Sequence, residues 1–150
     1  MKLPLTNHER ANLRAAKIKL KDTAEMEIAD LAKTLGSPLD RAEYIKALAQ
    51  FQTVPSIGPK MAQCAVDLGF YSLDDIKNET GADLLNRLEE LKGCWEDPCV
   101  EDSLRCIVHH ANHRGSVKNW WDFTADRKRY REQYGYPAER PSAPWYEKKS

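Results

Sequence analysis

Apolar positions along this chain recur at intervals of three and four rather than in alternation, the period of amphipathic helices. Between residues 39 and 51, Tyr44, Ile45, Leu48 and Ala49 fall at helical spacing, with Asp40 as a capping residue. Met61, Ala62, Ala65, Val66 and Leu68 repeat the period until Gly69 stops it. Between the two lies Val54-Pro55-Ser56-Ile57-Gly58-Pro59-Lys60. Pro55 and Gly58 force a tight connection there. Pro59 suits the first turn of the second helix, where its missing N–H is not needed.

The same period predicts helices on either side. Thr6 or Asn7 caps one that runs through Glu9 to about Leu20, anchored by Leu13 and Ile18. A second starts near Thr23, carries Met26, Ile28, Ala29, Leu31 and Ala32, and ends at Gly36, with Ser37-Pro38 as a boundary. Ser72-Leu73-Asp74-Asp75-Ile76 reads as a short capped turn. Gly81–Lys92 places Leu84, Leu85, Leu88 and Leu91 on one side and stops at Gly93. Pro98 opens a helix through Val100, Leu104, Ile107, Val108 and Ala111 to about His113. No alternating run is long enough for a strand. The expected class is all-α, a small helical bundle: residues 1–36 as an N-terminal helical hairpin, 37–123 as the core domain and 124–150 as an extended basic and aromatic tail.

Two features shape that tail. Trp120-Trp121-Asp122-Phe123 is too apolar to stand in water, so at least one Trp is expected to fold back on the core. Stacking on bases is the alternative. Arg127-Lys128-Arg129-Tyr130-Arg131 continues as a basic helical piece, for phosphate contact or for a solvated face. Beyond Tyr134, Gly135, Pro137, Pro141 and Pro144 predict a mobile, turn-rich end that carries Trp145-Tyr146 and Lys148-Lys149.

Composition narrows the class further. Apolar residues make up 41% and charged residues 31%, a globular balance. No apolar run approaches the roughly 18 residues of a membrane span, and the first residues hold no signal-peptide core. A soluble cytoplasmic protein with four reduced cysteines is expected. The net charge is zero, but it is unevenly spread. Residues 1–21 carry six cations against Glu9, a net of +5. Residues 74–102 carry ten acids against three cations, a net of −7, and residues 114–131 return to +4. The basic segments could form one electropositive face, or could pair with the acidic middle inside the fold.

The connection at residues 54–60 carries the most specific chemistry. A helix N-terminus that follows a tight turn presents unpaired N–H donors together with the positive end of the helix dipole. Lys60 adds a mobile charge, so the segment is suited to a phosphate. A plain interhelical turn or a protein-docking element is the simpler alternative.

Hydrophobic-Pro-x-Ile-Gly followed by Lys and a small-residue helix resembles the helix-hairpin-helix DNA-binding motif. A wider stretch, from about Leu48 to Phe123, includes Gly69-Phe70-Tyr71-Ser72-Leu73-Asp74-Asp75, then Asp97-Pro98-Cys99-Val100 and Cys106, then the Trp120-Trp121-Asp122-Phe123 run. It is similar to the small bacterial pathogenicity-locus family of helix-hairpin-helix proteins. The resemblance implies a SAM-like bundle with DNA-phosphate contacts at Ile57, Gly58, Pro59 and Lys60. Arg41, Lys46, Arg127, Lys128, Arg129 and Arg131 would add charge. Ser56 stands where the motif usually has its first glycine, and a positive φ there would suit Ser poorly.

Cys94, Cys99, Cys106, His109, His110 and His113 cluster within twenty residues. Cys106 and His110 are spaced i, i+4 on one helix, which allows both to ligate one metal, and Cys94 could complete the set. Packing explains the stripe equally well, because Cys behaves as a small buried hydrophobe. The adjacent acids Asp74-Asp75, Glu89-Glu90 and Glu101-Asp102 diverge by about 100° on a helix and read as solvated faces. No phosphate-loop, dinucleotide, zinc-protease or nucleophile-elbow motif is present. The expectation is a non-enzymatic DNA binder without cofactor or membrane contact, with weak, largely sequence-independent affinity. The alternatives are a protein-interaction module, with a protein partner or a homo-oligomer, and a metal- or thiol-containing regulatory protein.

Overall fold

A computed structural model describes residues 1–147, and Lys148 and Lys149 of the expected tail lie outside the described residues. Among the described residues, eight α-helices follow in order: α1 (Asn7–Ala15), α2 (Ile28–Leu35), α3 (Leu39–Gln52), α4 (Pro59–Asp67), α5 (Leu73–Ile76), α6 (Gly81–Lys92), α7 (Pro98–Asn112) and α8 (Thr124–Tyr134). Three 3-10 segments lie at Leu20–Glu25, Trp120–Phe123 and Trp145–Glu147. The described residues contain no strand beyond an isolated bridge between Trp95 and Pro144. None of their helices is long and apolar enough to cross a membrane. The chain divides into two compact units, Met1–Asp75 and the part from Ile76 onward.

In the first unit, α3 packs against the Leu20–Glu25 segment, α2 and α4. Ile45, Ala49 and Phe51 of α3 and Leu31 and Leu35 of α2 are fully buried. Each large side chain among them contributes about 1.5–3 kcal/mol of transfer free energy. Thr6 caps α1 in a reciprocal box: its hydroxyl accepts from Glu9 N–H at 3.0 Å, and its N–H donates to Glu9 Oε1 at 2.9 Å.

Helix α1 ends at Ala15, not near Leu20. Lys17 turns to φ +60, and its N–H donates to Arg14 O while Ile18 N–H reaches back to Leu13 O at 2.9 Å. This is a Schellman end with lysine in the usual glycine position, so no glycine announces it. The helix expected from Thr23 ends at Gly36 as read but begins only at Ile28, as α2; its first turn is instead the end of the 3-10 segment, in which the buried Thr23 hydroxyl donates to Leu20 O at 2.7 Å. Asp40 does not cap α3. It sits inside the first turn, with Pro38 at the cap, and its carboxylate accepts from Arg41 N–H.

In the second unit, α6 and α7 pack closely. A Cβ on Gly81 would lie 3.0 Å from the Arg105 backbone, so glycine sets the distance of approach. Leu84, Leu85, Leu88, Leu104 and Ile107 fill the core, whereas Leu91 is exposed. The aromatic anchor is Phe123 rather than a tryptophan: Phe123 is buried, Trp120 half-buried and Trp121 55% exposed.

The acid pairs depart most from expectation. Glu90 is exposed, but Glu89, Glu101 and Asp102 are buried. Arg131 Nε donates to Glu101 Oε1 at 2.8 Å, Arg105 grips the other Glu101 oxygen, and Arg127 Nε meets Asp102 Oδ1 at 2.6 Å. Arg140 bonds both oxygens of Glu89. The segment after Tyr134 is therefore tied down: Tyr136 lies under the Arg131 and Arg140 guanidiniums, and Trp95 exchanges backbone bonds with Ala143 and Trp145.

Candidate functional site

The connection between α3 and α4 lies within the first unit and is built from two buried plugs and one strained residue. Val54 and Ile57 are 3% and 5% exposed and hold the ends of the turn in the core. Ile57 N–H donates to Val54 O at 3.1 Å and closes it. Pro55 takes the second turn position and Ser56 the third, at φ +66. Proline followed by a positive φ is the pattern of a type II turn, whose third position normally goes to glycine. Holding an L-residue there costs roughly 1–2 kcal/mol. The positive φ that Ser56 suits poorly is thus present, and the turn closes regardless.

Gly58 caps α4 at φ −98 and ψ −172, extended backbone open to any residue. A Cβ built on it would meet nothing within 4 Å. Neither the conformation nor the packing of the first unit calls for glycine at this position. Gly58 O accepts the first helical bond from Ala62 N–H at 3.1 Å. The Met61 N–H lies ahead of that bond, where helix geometry supplies no acceptor. Pro59 and Lys60 are exposed in the first turn, and Lys60 is the only charged residue between Lys46 and Asp67. Of the four expected contacts, Ile57 is spent on the core and on its own turn; Gly58, Pro59 and Lys60 remain at the surface.

The flanking cations fare unequally. Arg41 is engaged by Glu9 through Nε at 3.1 Å and Nη2 at 2.8 Å, and also donates to Pro4 O. The Arg41 guanidinium holds the Glu9 carboxyl down at about 2 against the opposing effect of burial. Lys46 is half-buried on α3. In the second unit, Arg127 and Arg131 are committed to Asp102 and Glu101, Arg129 pairs with Asp126, and Lys128 is exposed. Pairing within the fold, rather than a free basic face, describes Arg127 and Arg131. The acidic 74–102 segment and the basic 114–131 segment carried that signal as complementary charge, but spacing alone did not say which acids would be buried.

The Cys/His stripe converges on a carbonyl. His110 Nε2 lies 2.8 Å and Cys106 Sγ 3.7 Å from Lys118 O, so both side chains fasten the loop after α7. Among the described residues, no group of three or more His, Cys, Asp or Glu could hold a metal ion. Cys94 is buried. The Cys99 thiol is raised by desolvation and by the Asp97 carboxylate, away from a reactive thiolate. His109 stacks on His113 and Phe123 and bonds Ser116 Oγ at 2.8 Å; desolvation, then the neighbouring His113, lower its pKa.

No curated protein and no solved structure gives a significant match to this chain. A family model described as "Pathogenicity locus" (Cdd1) matches residues 44–129, from Tyr44 on α3 through the turn and α4 to Arg129 on α8. That match covers more than half of the chain, and the chain belongs to the pathogenicity locus family.

Proposed function

We propose that α3, residues 53–58 and α4 form a helix-hairpin-helix motif that binds the phosphate backbone of DNA, without catalysis and without reading sequence. The observation that carries this reading is Gly58. Its lack of a side chain serves neither φ nor packing, and it leaves the backbone bare at the cap of an exposed helix end. A phosphate oxygen can approach the Gly58 and Met61 N–H groups there, favoured by the helix dipole. Lys60 brings an ammonium to the same turn.

One hairpin touches few phosphates, and phosphate contacts position a protein without specifying bases. Affinity is therefore weak and steeply salt-dependent. The test is fluorescence anisotropy on labelled duplex DNA across a salt series, with wild type and Lys60→Glu. Binding should weaken by about 0.9 log units per neutralised phosphate per decade of salt, and Lys60→Glu should weaken it about tenfold or more at low salt. A folded protein that binds no duplex at low salt overturns the proposal.

A further inference from the structure

Beside the cap of α4, the first unit holds a pocket of about 320 Å³ that a phosphate contact leaves unexplained. That volume is near the lower end of small-molecule sites, roughly 300–1,000 Å³. Its lining is mainly apolar: the Tyr44 ring, Pro4, Pro59 and the buried Leu48. Leu3, Gln63 and Lys2 complete the lining. The wall that carries Lys2 and Pro4 is pinned in place. Lys2 N–H donates to Gln52 Oε1 at 3.1 Å, Gln52 Nε2 donates back to Lys2 O at 2.7 Å, and Arg41 Nη2 holds Pro4 O at 2.7 Å. The pocket is thus a standing feature of the unit.

We infer that this pocket receives one unpaired nucleobase of the bound strand, its flat face against Tyr44 and the proline rings. The inference rests on the phosphate reading of α4. Continuity fixes the occupant: Pro59 is at once a wall of the pocket and the first helical residue after Gly58, so a base in the pocket and a phosphate at the α4 cap belong to one nucleotide or its neighbour. Charge agrees, since Lys2 in the lining and Lys60 on the first turn favour an anionic ligand over a neutral one. The edge chemistry agrees as well. Tyr44 OH donates to Gln63 Oε1 at 2.6 Å and Gln63 Nε2 donates to Asp67 at 2.9 Å, which fixes the amide. The amide keeps one N–H and one lone pair with which to meet a base edge. Stacking on an aromatic ring tolerates any base, so the pocket selects unpaired over paired nucleotides rather than one sequence over another.

The test compares three labelled duplexes in anisotropy at fixed low salt with the full chain: blunt, with a one-adenine overhang, and with an abasic residue in place of that adenine. Wild type should bind the adenine overhang about tenfold more tightly than the abasic one. Tyr44→Leu should remove that difference while leaving affinity for the blunt duplex unchanged. Gln63→Ala, which removes the amide but not the ring, should reduce the difference while the helical circular-dichroism signal stays that of wild type. Equal binding of the adenine and abasic duplexes by wild type, with salt-dependent binding retained, overturns the base pocket and leaves the phosphate contact standing. No binding to any of the three overturns both.

Discussion

Ser56 adopts a backbone conformation that glycine takes at no cost, and it does so in the turn that aims α4 outward. Substituting Ser56→Gly should stabilise the first unit by about 0.5–1 kcal/mol, because relief of the positive φ outweighs the added chain entropy of glycine. Ser56→Val should destabilise it, since a β-branched residue fits a positive φ worst. Urea unfolding followed by circular dichroism measures both, and a loss of stability in Ser56→Gly would mean the turn is not strained. Glu9 offers a second test at this scale. Its carboxyl is held at about 2 in the fold, against about 4.5 as the ordinary value. A depressed folded pKa contributes stability that is full above 4.5 and is lost as pH falls toward 2. Stability should therefore decline by about 2 kcal/mol across that window, and Glu9→Gln should flatten the decline. An unchanged acid limb in Glu9→Gln would remove Arg41–Glu9 from the account.

Among the elements, α7 and α8 are joined by buried charge rather than by an apolar seam. Asp102 is fully buried and is met by Arg127 and by the Thr124 hydroxyl at 2.8 Å. Breaking such a pair from one side leaves an uncompensated buried charge, which costs about 3–5 kcal/mol. Arg127→Met should lower stability by about that amount, with Asp102→Asn less severe because the amide keeps the contacts without the charge. All four tryptophans lie in the second unit, so tryptophan fluorescence during urea unfolding reads this change directly. A loss below about 1 kcal/mol would mean that the pair is solvated. The helices α3, α4, α6 and α7 were legible in the sequence because each has apolar residues at helical spacing and a glycine or proline at an end. The end of α1 and the 3-10 segment before α2 were not, since Lys17 ends a helix without glycine and Thr23 is buried through a local hydroxyl bond. Glu101 and Asp102 misled for a related reason: charge ordinarily marks a wet face, and only partners distant in sequence reverse that.

For the molecule as a whole, charge is balanced within each unit: residues 1–75 carry ten cations and ten acids, which leaves thirteen of each for the remainder. No net charge draws the protein to a polyanion, so DNA affinity must originate at a local site and disappear with it. The turn at residues 54–60 was visible as a candidate from its prolines, Gly58 and Lys60. The pocket beside it was not, because Pro4, Tyr44 and Pro59 are brought together only by the packing of an N-terminal segment on α3. Arg127 and Arg131 looked equally suited to phosphate and turn out to serve the fold. The measurement that tests the central claim most directly takes Gly58→Ser through urea unfolding and duplex-DNA anisotropy in parallel. Serine is a better cap than glycine by a few tenths of a kcal/mol, and its hydroxyl would accept the Met61 N–H that a phosphate needs. The prediction is a protein as stable as wild type or slightly more so, with DNA affinity reduced about tenfold. Unchanged affinity in the stable variant would contradict a phosphate contact at the cap of α4.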